Sequence, residues 1–439
     1  MPGFPPGTVS VMDGDLVRVG VLGCGNVGGA LVQLVEEHGD AIAERTGLRL
    51  QVARVAVHNT AKERAVEFAP GVLTHDAADV VADPGIDVVV EVIGGIEPAR
   101  ELILSALSGG KPVVTANKEL LANVGAELFE AAEKAGVDLL FEAAVAGGIP
   151  LIRPLRESLA GERLLRITGI VNGTTNFILT RMTEAGTTFH EALAEAQALG
   201  YAERDPTADV EGFDAAAKAA IIASVAFGVK VVAGDVYHEG ISGVTPADIA
   251  FADRLGYVVK LLAIAEAADG EVAVRVHPAM IPKEHPLAAV RESFNAVFIE
   301  GAAVGELMLY GRGAGGRPSA SAVLGDLIDA AKNRRRGTSA GIGVLGKARI
   351  RPIDELSSQY YLDLEVVDRP GVLAAIASVF GQHGVSIRSM VQEGLGDEAR
   401  LIFITHTAVE AAMQATLHDL RHLDVVDRVG SLLRVMGPE

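Results

Sequence analysis

The hexapeptide Gly-Cys-Gly-Asn-Val-Gly at 23–28 follows directly on a short apolar run (Val17, Val19, Val21, Leu22) and opens an apolar-periodic segment from Ala30 to Val35. Strand, glycine turn, helix is the context in which Gly-x-Gly-x-x-Gly has physical meaning as a dinucleotide-binding turn. Gly23 permits the tight turn, Gly25 lets the main chain approach a pyrophosphate, and Gly28 lets the helix close on the strand. Asn26 and Val27 begin that helix, whose unpaired N–H groups suit phosphates. The rest of the N-terminal region fits a doubly wound parallel sheet around this turn. Runs rich in Val and Leu over 16–22, 48–57, 87–93, 112–115 and 137–141 do not alternate, as expected of strands covered on both faces. Amphipathic helices such as 99–108 and 122–135 lie between them.

A chain of 439 residues exceeds one ordinary core, so two to three domains are expected. Its 49% hydrophobic and 22% charged content describes a well-packed protein. The net charge of −19 argues against general nucleic-acid binding and against an anionic membrane surface. No apolar run is long enough to span a bilayer. The first eight residues lack a basic and an apolar region and read as a floppy leader. A single cysteine, Cys24, allows no intramolecular disulfide and suits a reducing cytoplasm. Because Cys24 lies inside the phosphate turn, cysteine-based aldehyde oxidation is excluded.

From about 151 to 310 helices dominate the pattern (152–159, 189–199, 214–227, 246–265), with strand-like pieces at 165–171, 272–278 and 295–300. This reads as an α+β substrate and association domain. A glycine-rich loop containing Gly315 then leads into a helix over 319–331, expected to return to the first domain so that the two share a cleft. The basic run Lys332-Asn-Arg-Arg-Arg336 reads as a solvated loop. From 359 onward comes βαββαβ, a ferredoxin-like unit: strand 361–367, helix 373–383, strands 385–392 and 399–405 around a turn at 394–397, helix 410–420 and a strand at 425–435.

Position 58, after the second strand, is where a carboxylate would receive the ribose 2′-hydroxyl of NAD. Here stands His58-Asn59, followed by Lys62 and Arg64. The missing carboxylate removes an obstacle to a 2′-phosphate, although surface charge accounts equally well for the cations. Lys118, closing Thr-Ala-Asn-Lys at 115–118, falls at the carboxyl edge of the sheet, where ligands bind in such folds; a surface or capping role is the alternative. Asp214 and Lys218 share a helix face in an Ala-rich, apolar helix. Exposed, they would be an ordinary ion pair. Buried, the lysine needs a partner or a shifted pKa and becomes an acid–base candidate. His277 and His285 lack zinc-ligand companions and read as structural.

Taken together, Gly-Cys-Gly-Asn-Val-Gly (23–28), Val-Thr-Ala-Asn-Lys (114–118), Glu-Ala-Ala-Val-Ala-Gly-Gly-Ile-Pro (142–150), Val-Asn-Gly-Thr-Thr-Asn (171–176), the stretch from Gly200 to Lys218, and Gly-Ala-Gly-Gly-Arg-Pro (313–318) resemble homoserine dehydrogenase in its long form with a C-terminal ACT domain. The resemblance implies three parts: a Rossmann-type NAD(P)-binding domain over 1–150 with a return segment at about 311–350, a catalytic and dimerisation domain over 151–310, and an ACT domain over 359–439. It implies the reversible reduction of L-aspartate 4-semialdehyde to L-homoserine in threonine, methionine and isoleucine biosynthesis. By the same resemblance Lys218 is the acid–base lysine, Asp214 holds it and helps bind substrate, Glu203 receives the α-ammonium of the substrate, and Lys118 lies near the reacting end and the cofactor. It further implies a sodium site at Glu142, Val145, Gly147 and Ile149. An effector loop at Asp368, Gly371, Val372 and Leu373 would take L-threonine, and the assembly would be a homodimer or homotetramer. Many members carry arginine where this chain has His58, so NADP preference stays open. Two other readings stand beside this one: an oxidoreductase of a different small amino aldehyde, and a non-catalytic amino-acid sensor.

Overall fold

The structure is a computed structural model describing residues 16–394 and 398–437; the expected leader over 1–8 and turn residues 395–397 lie outside them. It divides into two compact units. The first holds the residues up to Gly161 together with Ala220–Ala233 and Gly311–Lys347. Its elements begin β1 (Leu16–Leu22), α1 (Asn26–Thr46), β2 (Arg49–Ala56), β3 (Leu73–Thr74) and α2 (Ala77–Ala82). They continue β4 (Val88–Glu91), α3 (Ala99–Ser108), β5 (Val113–Thr115), α4 (Lys118–Ala135) and β6 (Leu139–Leu140). The strands pair in parallel in the order β3-β2-β1-β4-β5-β6, which places a topological switch point between β1 and β4. The strand β3, only two residues long, is too short to leave a pattern in the sequence.

Val19, Val21, Val55, Val88, Val90 and Val114 from the sheet, with Leu31, Leu34 and Val35 from α1, form one core. The distant helix Gly316–Arg336 adds Val323, Leu327 and Ala330 to the same cluster. Fully burying such a side chain contributes about 1.5–3 kcal/mol, enough to tie this late segment to the first unit. That helix starts three residues earlier than expected. The Lys332–Arg336 run is its last turn and not a loop, because three arginines at a helix C-terminus complement the dipole and Gly337, at φ +65°, closes the turn. Likewise α4 begins at Lys118, a turn before the expected 122, because Asn117 caps it by accepting the Leu120 N–H at 3.1 Å.

The second unit holds Glu162–Ala219, Gly234–Tyr310 and Ala348–Glu439. Along the chain follow β7 (Leu164–Ile170), α5 (Gly173–Ala185), α6 (Phe189–Ala198), α7 (Thr207–Val210), α8 (Phe213–Phe227), β8 (Tyr237–His238) and α9 (Pro246–Arg254). Then come β9 (Tyr257–Ala268), β10 (Glu271–Pro282), β11 (Phe294–Gly301), β12 (Gly305–Arg312), and α10, the Gly316–Arg336 helix already described. The tail supplies β13 (Arg349–Ile350), β14 (Ser357–Val367), α11 (Val372–Gln382), β15 (Ile387–Gly394), β16 (Glu398–Thr405), β17 (Ala408–Val409), α12 (Glu410–Leu420) and β18 (Val426–Val435).

Here one expectation fails. A helix over 246–265 is replaced by α9 and then β9: Gly256, at φ +83°, ends the helix, and the following apolar run pairs along its whole length with β10. A long antiparallel sheet, not helices, therefore dominates this region. The expected helix over 152–159 is present over 152–158, with Pro154–Ser158 wound as a π-helix. The helix α5 is an addition to the expected elements. The tail has the βαββαβ order read from its sequence, with β18-β14-β16-β15 as its sheet. Through Ala279↔Arg434 and Met280↔Val435, β18 also pairs in parallel with β10, so the tail continues the sheet of the preceding segment.

Candidate active site

The nucleotide turn is built by backbone contacts within the first unit. Gly23, at φ +101°, follows β1, and a Cβ there would stand 2.8 Å from the Val92 carbonyl oxygen at the end of β4. A Cβ on Gly28 would stand 2.2 Å from the Gly23 carbonyl oxygen, so α1 sits on its own turn with no room for a side chain. Around Gly25, by contrast, nothing lies within 4 Å of that position. Open space at the second glycine and the main-chain N–H groups at the start of α1 fit a dinucleotide pyrophosphate. Gly315 (φ +123°) precedes α10, and Gly316 presses on the same turn: a Cβ on it would stand 2.9 Å from the Asn26 carbonyl oxygen.

At the end of β2, His58 and Lys62 are exposed. Arg64 folds back, its guanidinium donating to the Lys62 and Asn59 carbonyls at 2.6 and 2.5 Å. Burial raises the Cys24 thiol pKa, and Arg64 beside it opposes that rise. Arg64 is thus the cation that the geometry brings against the glycine turn.

At the carboxyl ends of β4 and β5 a fully buried Glu91, absent from the sequence-based candidates, accepts from the N–H groups of Ile93 and Gly94 and from the Thr115 hydroxyl at 2.8, 3.1 and 2.5 Å. Thr115 in turn accepts the Asn117 N–H at 3.0 Å, and Asn117 donates to the Gly95 carbonyl at 2.6 Å. This network fixes the loops around half-buried Lys118, the first residue of α4. An acid closing an otherwise apolar strand is the only sequence signal for it.

The loop after β6 carries the residues expected to hold a cation. Both carboxylate oxygens of buried Glu142 are engaged, accepting the N–H groups of Leu151, Ile152 and Arg153 at 2.5, 2.7 and 2.8 Å. The carboxylate therefore caps the 151–153 turn. The main-chain carbonyls of Val145, Gly147 and Ile149 accept no hydrogen bond among the described residues, and such unspent oxygens suit a hard monovalent cation. Asp326 on α10 accepts the Glu142 N–H at 2.7 Å and Arg153 Nη2 at 2.8 Å, and burial pushes its carboxyl up to about 7.

In the second unit Lys218 and Asp214 are both buried on α8. Lys218 Nζ donates to Asp214 Oδ2 and to the Val171 carbonyl, each at 2.7 Å. Asn172, another residue that the sequence did not single out, caps α5 by accepting the Thr175 N–H at 2.9 Å. Its Nδ2 donates to Asp214 Oδ2 at 2.9 Å and to Asp209 Oδ1 at 2.7 Å. The pair is therefore no surface salt bridge: one carboxylate oxygen serves an ammonium and an amide in a shielded place. Glu203, on the loop before α7, is exposed, and its side chain has no hydrogen-bond or ionic partner among the described residues. His277 is fully buried, its Nδ1 3.1 Å from the Pro278 carbonyl, as a structural histidine would be.

In the tail, Val366, Val367, Asp368, Arg369, Pro370, Gly371, Val372 and Leu373 line a pocket of about 450 Å3 with Gln392 and Leu401. Gly371, at φ +94°, turns the chain into α11, whose first N–H groups have no side-chain cap. Among the described residues no helix is long and apolar enough to cross a membrane, and no cluster of three or more His, Cys, Asp or Glu could hold a metal ion.

A doubly wound nucleotide fold joined to a segment with a buried lysine–aspartate pair defines the class of NAD(P)-dependent oxidoreductases. The family model described as "Homoserine dehydrogenase, NAD binding domain" matches residues 23–142, "Homoserine dehydrogenase" matches 150–328, and "ACT domain" matches 360–422. The chain is 50% identical over 440 residues to the homoserine dehydrogenase of Corynebacterium glutamicum, covering 99% of this chain and 98% of that protein. It is 43% identical over 426 residues to that of Bacillus subtilis, covering 96% and 98%. The crystal structure of a homoserine dehydrogenase from Thiobacillus denitrificans superposes with a TM-score of 0.91 at 43% identity, covering 96% of this chain and 98% of that one. The chain belongs to the homoserine dehydrogenase family.

Proposed function

We propose that the reaction is the NAD(P)-dependent interconversion of L-homoserine and L-aspartate 4-semialdehyde, with Lys218 as its acid–base group. The observation that carries this is the buried Lys218 ammonium held between Asp214 and the Val171 carbonyl. When bound, the nicotinamide nucleotide supplies or accepts the hydride. Reduction of an aldehyde builds negative charge on its oxygen, which Lys218 stabilises and protonates; in the oxidation direction Lys218 removes the hydroxyl proton. Asp214 keeps the Lys218 nitrogen aimed whichever way the proton moves, and Asn172 keeps Asp214 from turning away. Glu203, with its carboxylate unspent, receives the α-ammonium of the substrate. Lys118 assists at the reacting end.

Gly23, Gly25, Asn26, Val27, Gly28 and Gly315 hold the cofactor together with His58 and Lys62, and Arg64, the cation set against the glycine turn, attracts a 2′-phosphate. One structural neighbour, a hyperthermophilic archaeal homoserine dehydrogenase in complex with NADPH, superposes at a TM-score of 0.58 with 31% identity over 72% of this chain. It lends NADP weight as the working cofactor. Glu142 and the carbonyls of Val145, Gly147 and Ile149 provide a place for sodium.

The ACT pocket takes a small amino acid, its carboxylate at the N-terminus of α11 near Gly371, Val372 and Leu373 and its ammonium at Asp368. L-Threonine, a product of the pathway this reaction feeds, is the effector we assign, acting as a feedback inhibitor of a cytoplasmic homodimer or homotetramer.

The test follows nicotinamide absorbance with L-homoserine and NADP+ or NAD+. The reading predicts turnover in the wild type and a fall in kcat of about 10²- to 10⁴-fold in Lys218→Ala with NADPH binding retained. A folded wild type inactive with both cofactors refutes it, as does a Lys218→Ala variant with near-normal turnover.

A further inference from the structure

We propose that Arg434 of the ACT segment is a positioning residue for the Asp214–Lys218 pair, acting through Glu239 and residues 237–241 on the turn that opens α8. The proposal rests on the reading of Lys218 as the acid–base group.

Arg434 lies near the end of β18, with only 3% of its side chain exposed. Its Nε donates to Glu410 Oε2 at 2.9 Å, and Nη1 and Nη2 donate to the Glu239 carboxylate at 3.0 Å. Its guanidinium also stands 5.4 Å from the centre of the Tyr237 ring. Glu410 opens α12 of the tail, and the same Oε2 accepts the Tyr360 hydroxyl at 2.9 Å. Glu239, in contrast, follows β8 of the preceding segment. A buried cation shared by two carboxylates cannot follow one of them without abandoning the other, so the two segments are held in fixed register at this point.

From Glu239 the contacts run through main chain. Its N–H donates to the Val276 carbonyl of β10 at 2.8 Å. At Gly240 a Cβ would stand 2.3 Å from the Val210 carbonyl oxygen and 2.6 Å from Glu211 Cα, so the two strands of backbone touch. Ile241 N–H donates to that Val210 carbonyl at 2.8 Å, and His238 Nδ1 lies 3.1 Å from the Glu211 carbonyl. The His238 ring also packs 4.3 Å from that of Phe213. Gly212, at φ +85°, is the next residue, and its carbonyl accepts the Ala216 N–H in the first turn of α8. Asp214 follows two residues later.

No flexible side chain intervenes between Glu239 and the start of α8. A shift of Glu239 is therefore passed to the 210–212 turn and on to Asp214. The Oδ2 of Asp214 must satisfy Lys218 at 2.7 Å and Asn172 at 2.9 Å together, which leaves little tolerance for movement.

The test uses the full-length protein and four variants: Glu239→Gln, Gly240→Ala, Arg434→Lys and Arg434→Gln, with wild type and Lys218→Ala as references. Glu239→Gln keeps the shape of the side chain and weakens the grip of Arg434. Gly240→Ala leaves the ion pair intact and displaces the turn directly. Each of these two is expected to lower kcat for homoserine oxidation by about 2- to 30-fold and to shift the pH profile of kcat, with the Kd for NADPH unchanged. Arg434→Lys should recover part of the kcat lost in Arg434→Gln. A merely structural junction would lower the melting temperature without moving the pH profile. Wild-type kcat and pH profile in both Glu239→Gln and Gly240→Ala overturn the proposal, and if Lys218→Ala is inactive alongside them, the acid–base reading survives alone. An active Lys218→Ala removes both.

Discussion

An added methyl group should act very differently at Gly25 and at Gly28, two positions of one nucleotide turn. In Gly28→Ala the new methyl carbon would fall 2.2 Å from the Gly23 carbonyl oxygen, a backbone atom that cannot swing aside. Helix α1 must then retreat by about 1 Å, an overpacking cost of roughly 1–3 kcal/mol, against which alanine returns at most about 1 kcal/mol of helix preference. In Gly25→Ala nothing lies within 4 Å of the added carbon. Gly25 has φ −86°, which alanine tolerates, so the reduced entropy of the unfolded chain and the poorer helix cap nearly cancel, within about 1 kcal/mol. The methyl does occupy the space where a pyrophosphate would approach. The expected result is a melting temperature lowered by several degrees in Gly28→Ala and nearly unchanged in Gly25→Ala. NADPH affinity, measured by fluorescence titration, should fall at least about tenfold, or about 1.4 kcal/mol, in both. Wild-type affinity in Gly25→Ala would refute the placement of the pyrophosphate. A wild-type melting temperature in Gly28→Ala would refute the close seating of α1.

Three further outcomes are expected. Asn172→Ala removes the cap of α5 and the amide shared by Asp209 and Asp214, so it should cost about 0.5–2 kcal/mol by thermal denaturation and reduce kcat for homoserine more than it weakens NADPH binding. Arg64→Ala should raise the KM for NADP+ about tenfold while leaving that for NAD+ within about twofold, as steady-state kinetics with each cofactor would show. Burial pushes the Asp363 carboxyl up to about 6; Arg400 opposes the shift, Asp248 and Glu365 add to it, and Arg428 opposes it. Since the folded state then binds this proton more tightly than the unfolded chain, stability from this group is greatest at low pH and declines by on the order of 2 kcal/mol as pH rises from about 4 through 6. Asp363→Asn should flatten that part of a plot of melting temperature against pH.

The N-terminal architecture was legible because its signals are local. Apolar strands, a glycine turn and an amphipathic helix lie within one stretch from Leu16 to Thr46. The tail was legible for the same reason, with Pro370 and Gly371 starting α11 and Gly384, at φ +68°, following it. The strand β9 was not. It is buried on both faces, so its sequence lacks alternation and reads like a helix interior, and only the conformation of Gly256 separates it from α9. The pairing of Lys218 with Asp214 follows from their four-residue spacing. Their other partners, Val171 and Asn172, lie more than forty positions away, where spacing carries no information. The part played by the Glu142 carboxylate was hidden for a related reason: its three amide donors come from the next turn, and a sequence pattern does not reveal which way an acid points.

The shared sheet bears on how dependence on the tail should be probed. Cutting the chain near residue 350 would strip β18 from Ala279 and Met280, leaving a raw strand margin open to pairing with other molecules. It would also leave Asp248 without the Tyr361 and Ser431 hydroxyls that now donate to it. Altered activity in such a shortened enzyme would mix clumping and a sagging scaffold with any loss of sensing, and single substitutions within the intact polypeptide separate sensing from upkeep more cleanly than a deletion.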